Sequence, residues 1–474
     1  MKIGLEVHQQ LATERKMYCN CPTNYQDVPP NTNVCPICTG MPGSKPLSPN
    51  EKAVDAAIEL ALMLGCKVVV DKPTYIQRKH YDYPDLPSGY QRTSLPIAVD
   101  GELQGVRIRE VHLEEDPGQY DPTVGSVDFN RSGVPLVEIV TEPDMRSPED
   151  ARRFLRQLIR VLEFTGKVRP EAGGAMRADV NISLEGGARV EVKNINSVKG
   201  AYKALKFEIT RQKAKLGRGE AVVRETRAYL ESQMITTSMR LKEMEEDYRY
   251  IPDPDIFPLV IDDAKVQNIR EQMVEPPHLR EQRLVEQYGI QQAAANVIVS
   301  ERKFADLFEE VAKEVDPKLA AMWFRTKLKK VLNYMKLSAA DIKFTPKQLI
   351  TLLQMIQHHK VTPEQGELVL RELVKKPADP KELVQRLGLE RIEWEDFELA
   401  VKEAICRNQK AVKDYLAGRK EALNFIAGKV MELTGGRADP RKILKLLRAE
   451  LLKKSQSEKS AFNRKSGSNS IKSL

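Results

Sequence analysis

Two hydrophobic periods divide this chain, and the point at which one gives way to the other limits its possible folds more than any other feature. In LEVHQ, Leu5 and Val7 alternate with Glu6, His8 and Gln10; in RADVNIS, Ala178, Val180 and Ile182 alternate with Asp179, Asn181 and Ser183. In RVEVK, Val190 and Val192 alternate with Glu191 and Lys193. A period of two sends successive side chains to opposite faces of a strand. From about Val274 onward the apolar residues fall at helical spacing, with charged faces and few β-branched runs. An α+β domain over residues 1–265 followed by all-helical structure is therefore expected, with a boundary in or just after the Pro-rich stretch YIPDPDIFPLV. At 474 residues the chain is in any case too long for one core.

Helix signals inside the first part are local. Ser147 is a natural N-cap, Pro148 suits the first helical position, Asp150 closes a capping box, and Gly166 ends the helix. Phe154, Leu158, Ile159 and Leu162 form its apolar face. Ser48-Pro49 and Ser197 are expected to open two more helices. In the helical part, Pro377 and Pro380 mark a break before residue 400, dividing a helical domain at 266–400 from a final module at 401–454. Val412, Tyr415, Leu416, Leu423, Ile426, Val430 and Leu433 form one stripe, stopped by Gly435-Gly436; Asp439-Pro440 caps the next helix. Residues 455–474 are Ser-, Lys- and Asn-rich and too poor in apolar residues to offset their ordering entropy, so they are expected to be disordered.

Charge is unevenly placed. Residues 401–474 hold 18 Lys+Arg and 7 Asp+Glu, a balance of +11, which leaves −3 of the total +8 for residues 1–400. A basic C-terminal module fits a polyanion such as RNA. No apolar run approaches the roughly 20 residues of a membrane span. The start MKIGLEVHQQ lacks the cationic and apolar regions of a signal peptide, so a cytoplasmic location is expected.

Cys19-x-Cys21 and Cys35-x-x-Cys38 stand across a short loop. Two thiolate pairs at this spacing suit tetrahedral Zn²⁺ in a closed, structural site, clamping the loop between them. Cys66 and Cys406 have no partner in sequence and are expected to be buried thiols.

The polar faces of the alternating segments carry carboxylates, a histidine and lysines, and EVHLEED adds His112, Glu114, Glu115 and Asp116. If these strands share a sheet, the combined surface suits Mg²⁺ and nucleotide phosphates, and phosphoryl transfer is its natural chemistry. Neither a G-x-x-x-x-G-K-[ST] loop nor a G-x-G-x-x-G fingerprint is present. The segment QRKHYDYPDLPSGYQ sets Tyr81, Tyr83 and Tyr90 among Arg78 and Lys79 on a Pro-stiffened stretch, where aromatic rings can stack on a base.

GLEVHQQL, PPNTNVCPICTGMPG, RKHYDYPDLPSGYQ, HLEEDPG, VDFNRSGVPLVEIVTEPDMRSPEDA, MRADVNIS, VEVKNINS and DYRYIPDPD, in this order, resemble the B-subunit (GatB) family of aspartyl/glutamyl-tRNA amidotransferases. The resemblance covers about residues 1–265; the C-terminal residues NQKAVKDYLAGRKEALNFIAGKV resemble that family's YqeY-like tRNA-binding tail. It implies a glutamine-synthetase-like cradle domain on an antiparallel sheet, acting in a heterotrimer whose other members are a glutaminase (the A subunit) and a small C subunit. It also implies a reaction: ATP phosphorylates the side-chain carboxylate of Asp-tRNA or Glu-tRNA, and ammonia displaces phosphate to give the amide. Carried over by motif, Glu6, His8, Glu115 and Asp179 would hold Mg²⁺, Lys79 would face the phosphates or the acyl group, and Tyr81, Arg177 and Lys193 would contact the nucleotide. Strict alternation instead puts Glu114 on the face of His112, so Glu115 can serve only if the strand ends or bulges there. The large insertion of the related archaeal E subunit is missing. The competing reading is a non-catalytic zinc-containing RNA-binding scaffold, which has no use for the clustered Glu6, His8, Glu115 and Asp179. A free-standing ligase would need its own glutaminase nucleophile, and none is evident.

Overall fold

A computed structural model describes residues 1–453 apart from 27, 82, 170–174, 242–248, 390–393, 436, 437, 439 and 441. It divides into one compact unit from Met1 to Leu279 and a second from Arg280 onward. The expectation for residues 455–474 and the cap at Asp439 fall outside the described residues.

The first unit is built on a 12-stranded sheet. Its strands in chain order are β1 (Lys2–Gln10), β2 (Lys67–Val68), β3 (Ile76–His80), β4 (Tyr90–Ser94), β5 (Ala98–Leu103) and β6 (Val106–Glu115). A separate ribbon, β7 (Gln119–Asp121) and β8 (Ser126–Asp128), is followed by β9 (Pro135–Thr141), β10 (Met176–Ser183), β11 (Val190–Ile195), β12 (Glu225–Leu230), β13 (Ile235–Leu241) and β14 (Arg249–Pro252). The main order is β13-β12-β11-β10-β1-β9-β6-β4-β3-β14, with β5 also on β6 and β2 on β5. Every pair in it is antiparallel except β11 with β12, so the domain is built on a largely antiparallel sheet, as the resemblance implies, with one parallel pair.

One face of this sheet is dry at β1, β10 and β11. Ile3, Leu5 and Val7 of β1, Ala178, Val180 and Ile182 of β10, and Val190 and Val192 of β11 are all at most 1% exposed. Three helices lie against the sheet: α1 (Glu51–Met63) on β5 and β6, α2 (Pro148–Thr165) on β5, and α3 (Val198–Gly217) on β10, β11 and β13. The helix ends follow side-chain chemistry. Ser147 accepts from the Asp150 amide, Gly166 takes a left-handed conformation at φ 70°, and Ser197 accepts from the Gly200 amide. The Asp150 carboxylate caps the Arg146 amide, one residue upstream of the expected partner. Asn50, not Ser48, opens α1, because its side chain accepts from the Lys52 amide.

The helical signal starts before the helical unit does. Helix α4 (Asp263–Gln272) belongs to the first unit, where it packs against α1 and Lys265 pairs with Asp55 at 2.7 Å. The helices that follow are α5 (Pro277–Tyr288), α6 (Gln292–Ile298), α7 (Arg302–Ala312), α8 (Pro317–Trp323), α9 (Lys329–Met335), α10 (Pro346–Gln357), α11 (Pro363–Lys375) and α12 (Pro380–Arg386). Then come α13 (Trp394–Arg407), α14 (Gln409–Leu416) and α15 (Glu421–Leu433). A separate core joins Phe397, Val401 and Ala404 of α13 to Val412, Leu423, Ile426, Val430, Ile443, Leu447 and Leu451. The single stripe expected from Val412 to Leu433 is thus two helices, turned at Gly418 with φ 102°. Cys66 is buried as expected, but Cys406 is exposed, because it points away from the α13 face that buries Phe397, Val401 and Ala404. Among the described residues no helix is long and apolar enough to cross a membrane.

Candidate active site

The other face of the sheet gathers the polar residues of the alternating segments. Register does this directly: Glu6 lies opposite Asp179, and His8 lies opposite both Arg177 on β10 and Glu138 on β9. Asn181 lies opposite Glu191 on β11, and His112 of β6 lies opposite Glu138. Directly opposed residues share a face, so the residues of five strands converge.

Two groups of possible ligands result, each with its donor atoms within 4.8 Å of one another: Glu6, Asp179 and Glu191, and His8, Glu114 and Glu138. In the first, Asn181 Nδ2 donates to Glu6 Oε1 at 2.9 Å, and Lys193 Nζ bonds Asp179 at 2.6 Å and Glu191 at 3.0 Å. The Thr226 hydroxyl donates to Glu191 Oε2 at 3.0 Å. In the second, His8 Nε2 stands 3.4 Å from Glu114 and 3.6 Å from Glu138. Burial works to lower the His8 pKa, but Glu114, Glu138 and Asp179 outweigh it and raise it. Burial works to raise that of Glu114, yet His8 and Lys79 hold it down; burial and the Glu114 charge push Glu138 up. Burial opposes the Lys79 charge, while Glu114 and Glu138 sustain it and lift its pKa. Across the two groups, the acids outnumber the histidine and lysines beside them, so the charges are incompletely balanced from within.

Glu115 is not part of either group. Strand β6 stays paired through Glu115, opposite Pro135, and its one irregularity lies between Ile108 and Glu110. Without a bulge at 114–115, Glu115 faces the other way and binds Arg92, with 3.2 Å from Oε1 to Nη1. The expected role of Glu115 beside Glu6, His8 and Asp179 therefore does not fit, and Glu114 takes its position. Glu138 escaped sequence reasoning, although a single acid within the apolar run PLVEIVT is a visible signal; Glu191 was visible on the face but not singled out.

The remaining expected residues surround the two groups. Gln91, itself buried, donates to Glu114 Oε2 at 3.3 Å and to the Glu115 carbonyl at 2.9 Å, and the Tyr81 hydroxyl donates to Gln91 Oε1 at 3.5 Å. Arg177 donates to Asp116 at 2.5 Å, and Asp116 also accepts from Gln10 at 2.7 Å. Tyr83 is exposed and packs edge-on to Tyr120, while Tyr90 lies under Arg78 and Arg92.

The four cysteines come together as their spacing implies. Cys19, Cys21, Cys35 and Cys38 place their sulfurs within 4.8 Å of one another, with 3.9 Å from Cys38 to Cys35 and 4.0 Å to Cys21. A tetrahedron of sulfurs about 2.3 Å from Zn²⁺ has edges of about 3.8 Å, so the cluster fits that ion. Lys16, only 1% exposed, reaches Cys38 Sγ at 3.4 Å and the carbonyls of Asn33 and Phe129 at 2.9 and 3.2 Å. Cys38 is lowered by its Cys19 hydrogen bond, with Lys16 contributing. Gly40 lies so close to Pro87 that an added Cβ would sit 2.8 Å from the Pro87 carbonyl, which docks the cysteine loop on the stretch after Tyr83.

Residues 1–267 match the family model described as the GatB/GatE catalytic domain, and residues 306–451 match that of the GatB domain. The B subunit of the aspartyl/glutamyl-tRNA(Asn/Gln) amidotransferase of Methanothermobacter thermautotrophicus is 55% identical over 452 residues, covering 95% of this chain and 100% of that protein. Its counterpart in Methanocaldococcus jannaschii is 55% identical over 465 residues, and that of Methanopyrus kandleri 52% over 456; each covers 95% of this chain and 98% of the relative. With a sheet face of paired acids and a matching helical remainder, this chain belongs to the family of aspartyl/glutamyl-tRNA(Asn/Gln) amidotransferase B subunits.

Proposed function

We propose that this chain is the ATP-using, tRNA-binding subunit of a tRNA-dependent amidotransferase. It phosphorylates the side-chain carboxylate of an Asp or Glu esterified to tRNA, and ammonia then displaces phosphate to leave Asn-tRNA or Gln-tRNA. The observation that carries this reading is the pair of acid groups, Glu6–Asp179–Glu191 and His8–Glu114–Glu138, side by side on one sheet face. Oxygen-rich donor sets of this kind fit Mg²⁺, which would supply charge neutralisation for the phosphates. Lys79, Lys193 and Arg177 line the same face and would meet phosphate oxygens of ATP and the growing charge on the transferred group. Tyr81, through Gln91, supports Glu114 and would contact the nucleotide.

Ammonia would come from the glutaminase (the A subunit), in a cytoplasmic heterotrimer whose third member is the small C subunit. The basic tail would bind tRNA phosphates. Zn²⁺ held by the four cysteines would be structural, fixing the loop that docks beside Pro87.

The test is ATP hydrolysis by the chain reconstituted with its partner subunits, with and without Asp-tRNA or Glu-tRNA and with ammonium supplied. Mg²⁺-dependent ADP release that requires the misacylated tRNA and is lost in Glu6→Gln is the expected result. No tRNA-dependent hydrolysis with either substrate, with tRNA binding intact, would leave a scaffold role in its place.

A further inference from the structure

On the reverse side of the strands that carry Lys79 and Glu114 lies a buried ion network with no place in the chemistry above. Glu115 Oε1 accepts from the Arg92 backbone N–H and from Arg92 Nη1, each at 3.2 Å. Arg92 Nε donates to Asp253 Oδ2 at 2.8 Å, and Arg78 Nη2 donates to Asp253 Oδ1 at 2.9 Å and to Asp255 at 3.0 Å. The side chains of Arg92, Glu115 and Asp253 are 8%, 14% and 0% exposed. The Tyr90 ring lies 4.7 Å from the Arg78 guanidinium and 5.2 Å from that of Arg92, and its hydroxyl accepts from Arg92 at 3.1 Å.

Arg78 and Arg92 are directly opposed on β3 and β4. Two like charges at a cross-strand position repel, and burial strengthens the repulsion. The pair is tenable because Asp253 sits between the two guanidiniums and Glu115 neutralises Arg92 from the far side. The next residue along β3 is Lys79, opposite Gln91 on β4 and Tyr250 on β14. The acids on the reverse face therefore fix the pairing of the strands on either side of Lys79. Their residues come from separate stretches of the chain, QRK, YQR, LEED and PDPD, and converge only in the fold.

We propose that Glu115 is a positioning residue: through Arg92, Asp253 and Arg78 it locks β3 between β4 and β14 so that the Lys79 ammonium faces Glu114 and Glu138. Glu115 then has no part in holding a metal. This rests on the proposed role of Lys79 at the phosphates.

The test uses the reconstituted amidotransferase, reading misacylated-tRNA-dependent ADP release while Mg²⁺ and ATP are varied. Glu115→Gln is expected to lower kcat roughly 10- to 100-fold, the usual cost of losing an outer-shell partner, with an unchanged Mg²⁺ concentration for half-maximal rate. Asp253→Asn reaches the same Arg92 from the other side and is expected to match it, so a single variant that fails to fold does not decide the outcome. In a Lys79→Met background either change is expected to alter kcat by no more than about twofold, because the residue being positioned is gone. A raised Mg²⁺ requirement for Glu115→Gln would make it a metal ligand and overturn the proposal. Full additivity with Lys79→Met, or a fully active Lys79→Met, would overturn it too. Failure of the underlying function is distinguishable, since it appears as absence of tRNA-dependent ADP release in the unsubstituted complex.

Discussion

Glu138 is flanked in β9 by Leu136, Val137, Ile139 and Val140, and a carboxylate in such a strand needs a partner to be tolerated. It finds His8 across the pairing to β1, with Glu114 and Lys79 nearby. Glu138→Gln is expected to raise the Mg²⁺ concentration for half-maximal ADP release on the order of 100-fold, since it removes one donor of a proposed site, while far-UV circular dichroism stays unchanged. A variant with normal Mg²⁺ dependence would remove Glu138 from the donor set. Lys16 acts at the same scale: its buried ammonium lies 3.4 Å from Cys38 Sγ, where it would offset thiolate charge if the four cysteines hold the proposed Zn²⁺, and Lys16→Met is then expected to speed zinc loss to a chelator roughly tenfold. No sequence signal singled out Lys16, because a lysine between a cysteine pair and a turn is an ordinary surface residue until the chain closes over it.

Among the elements, strands were easier to read than the exceptions within them. Alternation named the polar face of β1, β10 and β11 and put Glu114 beside His112; the motif argued for Glu115, and the unbroken pairing of β6 follows alternation. Gly101 of β5 is an exception of another kind. A Cβ there would collide with Cys66 Sγ and lie 2.8 Å from the Leu64 carbonyl oxygen, where the end of α1 crosses the strand. Gly101→Ala is expected to destabilise the first unit by about 1–3 kcal/mol in urea unfolding, because backbone cannot withdraw as a side chain can.

Among the helices, Glu367 of α11 accepts from Lys327 at 2.7 Å, Arg371 at 2.8 Å and Lys330 at 3.2 Å. The Lys327 hydrogen bond leads in holding its carboxyl at about 2, against the opposing effect of burial. A depressed carboxyl stabilises the fold fully above its unfolded pKa of about 4.3 and loses that contribution as pH falls through about 2. Unfolding measured from pH 6 downward is therefore expected to show the Glu367→Gln deficit shrinking below about pH 4. A constant deficit at all pH values would assign the loss to packing.

Over the whole molecule, the C-terminal core reaches back further than the composition suggests. Phe397, Val401 and Ala404 of α13 belong to it, so a cut at the expected boundary after residue 400 would part Phe397 from the face that buries it. Removing residues from 389 onward instead is expected to leave the rest folded, to weaken tRNA binding and to flatten its dependence on salt, as loss of phosphate contacts must. Unchanged affinity and slope would take RNA binding away from the tail. The first unit likewise extends past the change in period to Leu279, because α4 turns back onto α1 rather than joining the helices that follow.

What the sequence determined by itself is what depends on neighbours in the chain. The α+β first part, the helix caps at Ser147 and Ser197, the sidedness of β1, β10 and β11 and the grouping of four cysteines all follow from local spacing and local hydrogen bonds. Tertiary structure alone decided the rest: which strands lie side by side, that β11 and β12 run parallel, that Glu138 and Glu191 complete two donor sets, and that Glu115 turns to Arg92 and Asp253. Those outcomes depend on the register between strands far apart in the chain, as where Lys2 pairs with Ser183, and register is set by burial of the opposite, apolar face rather than by the acids themselves.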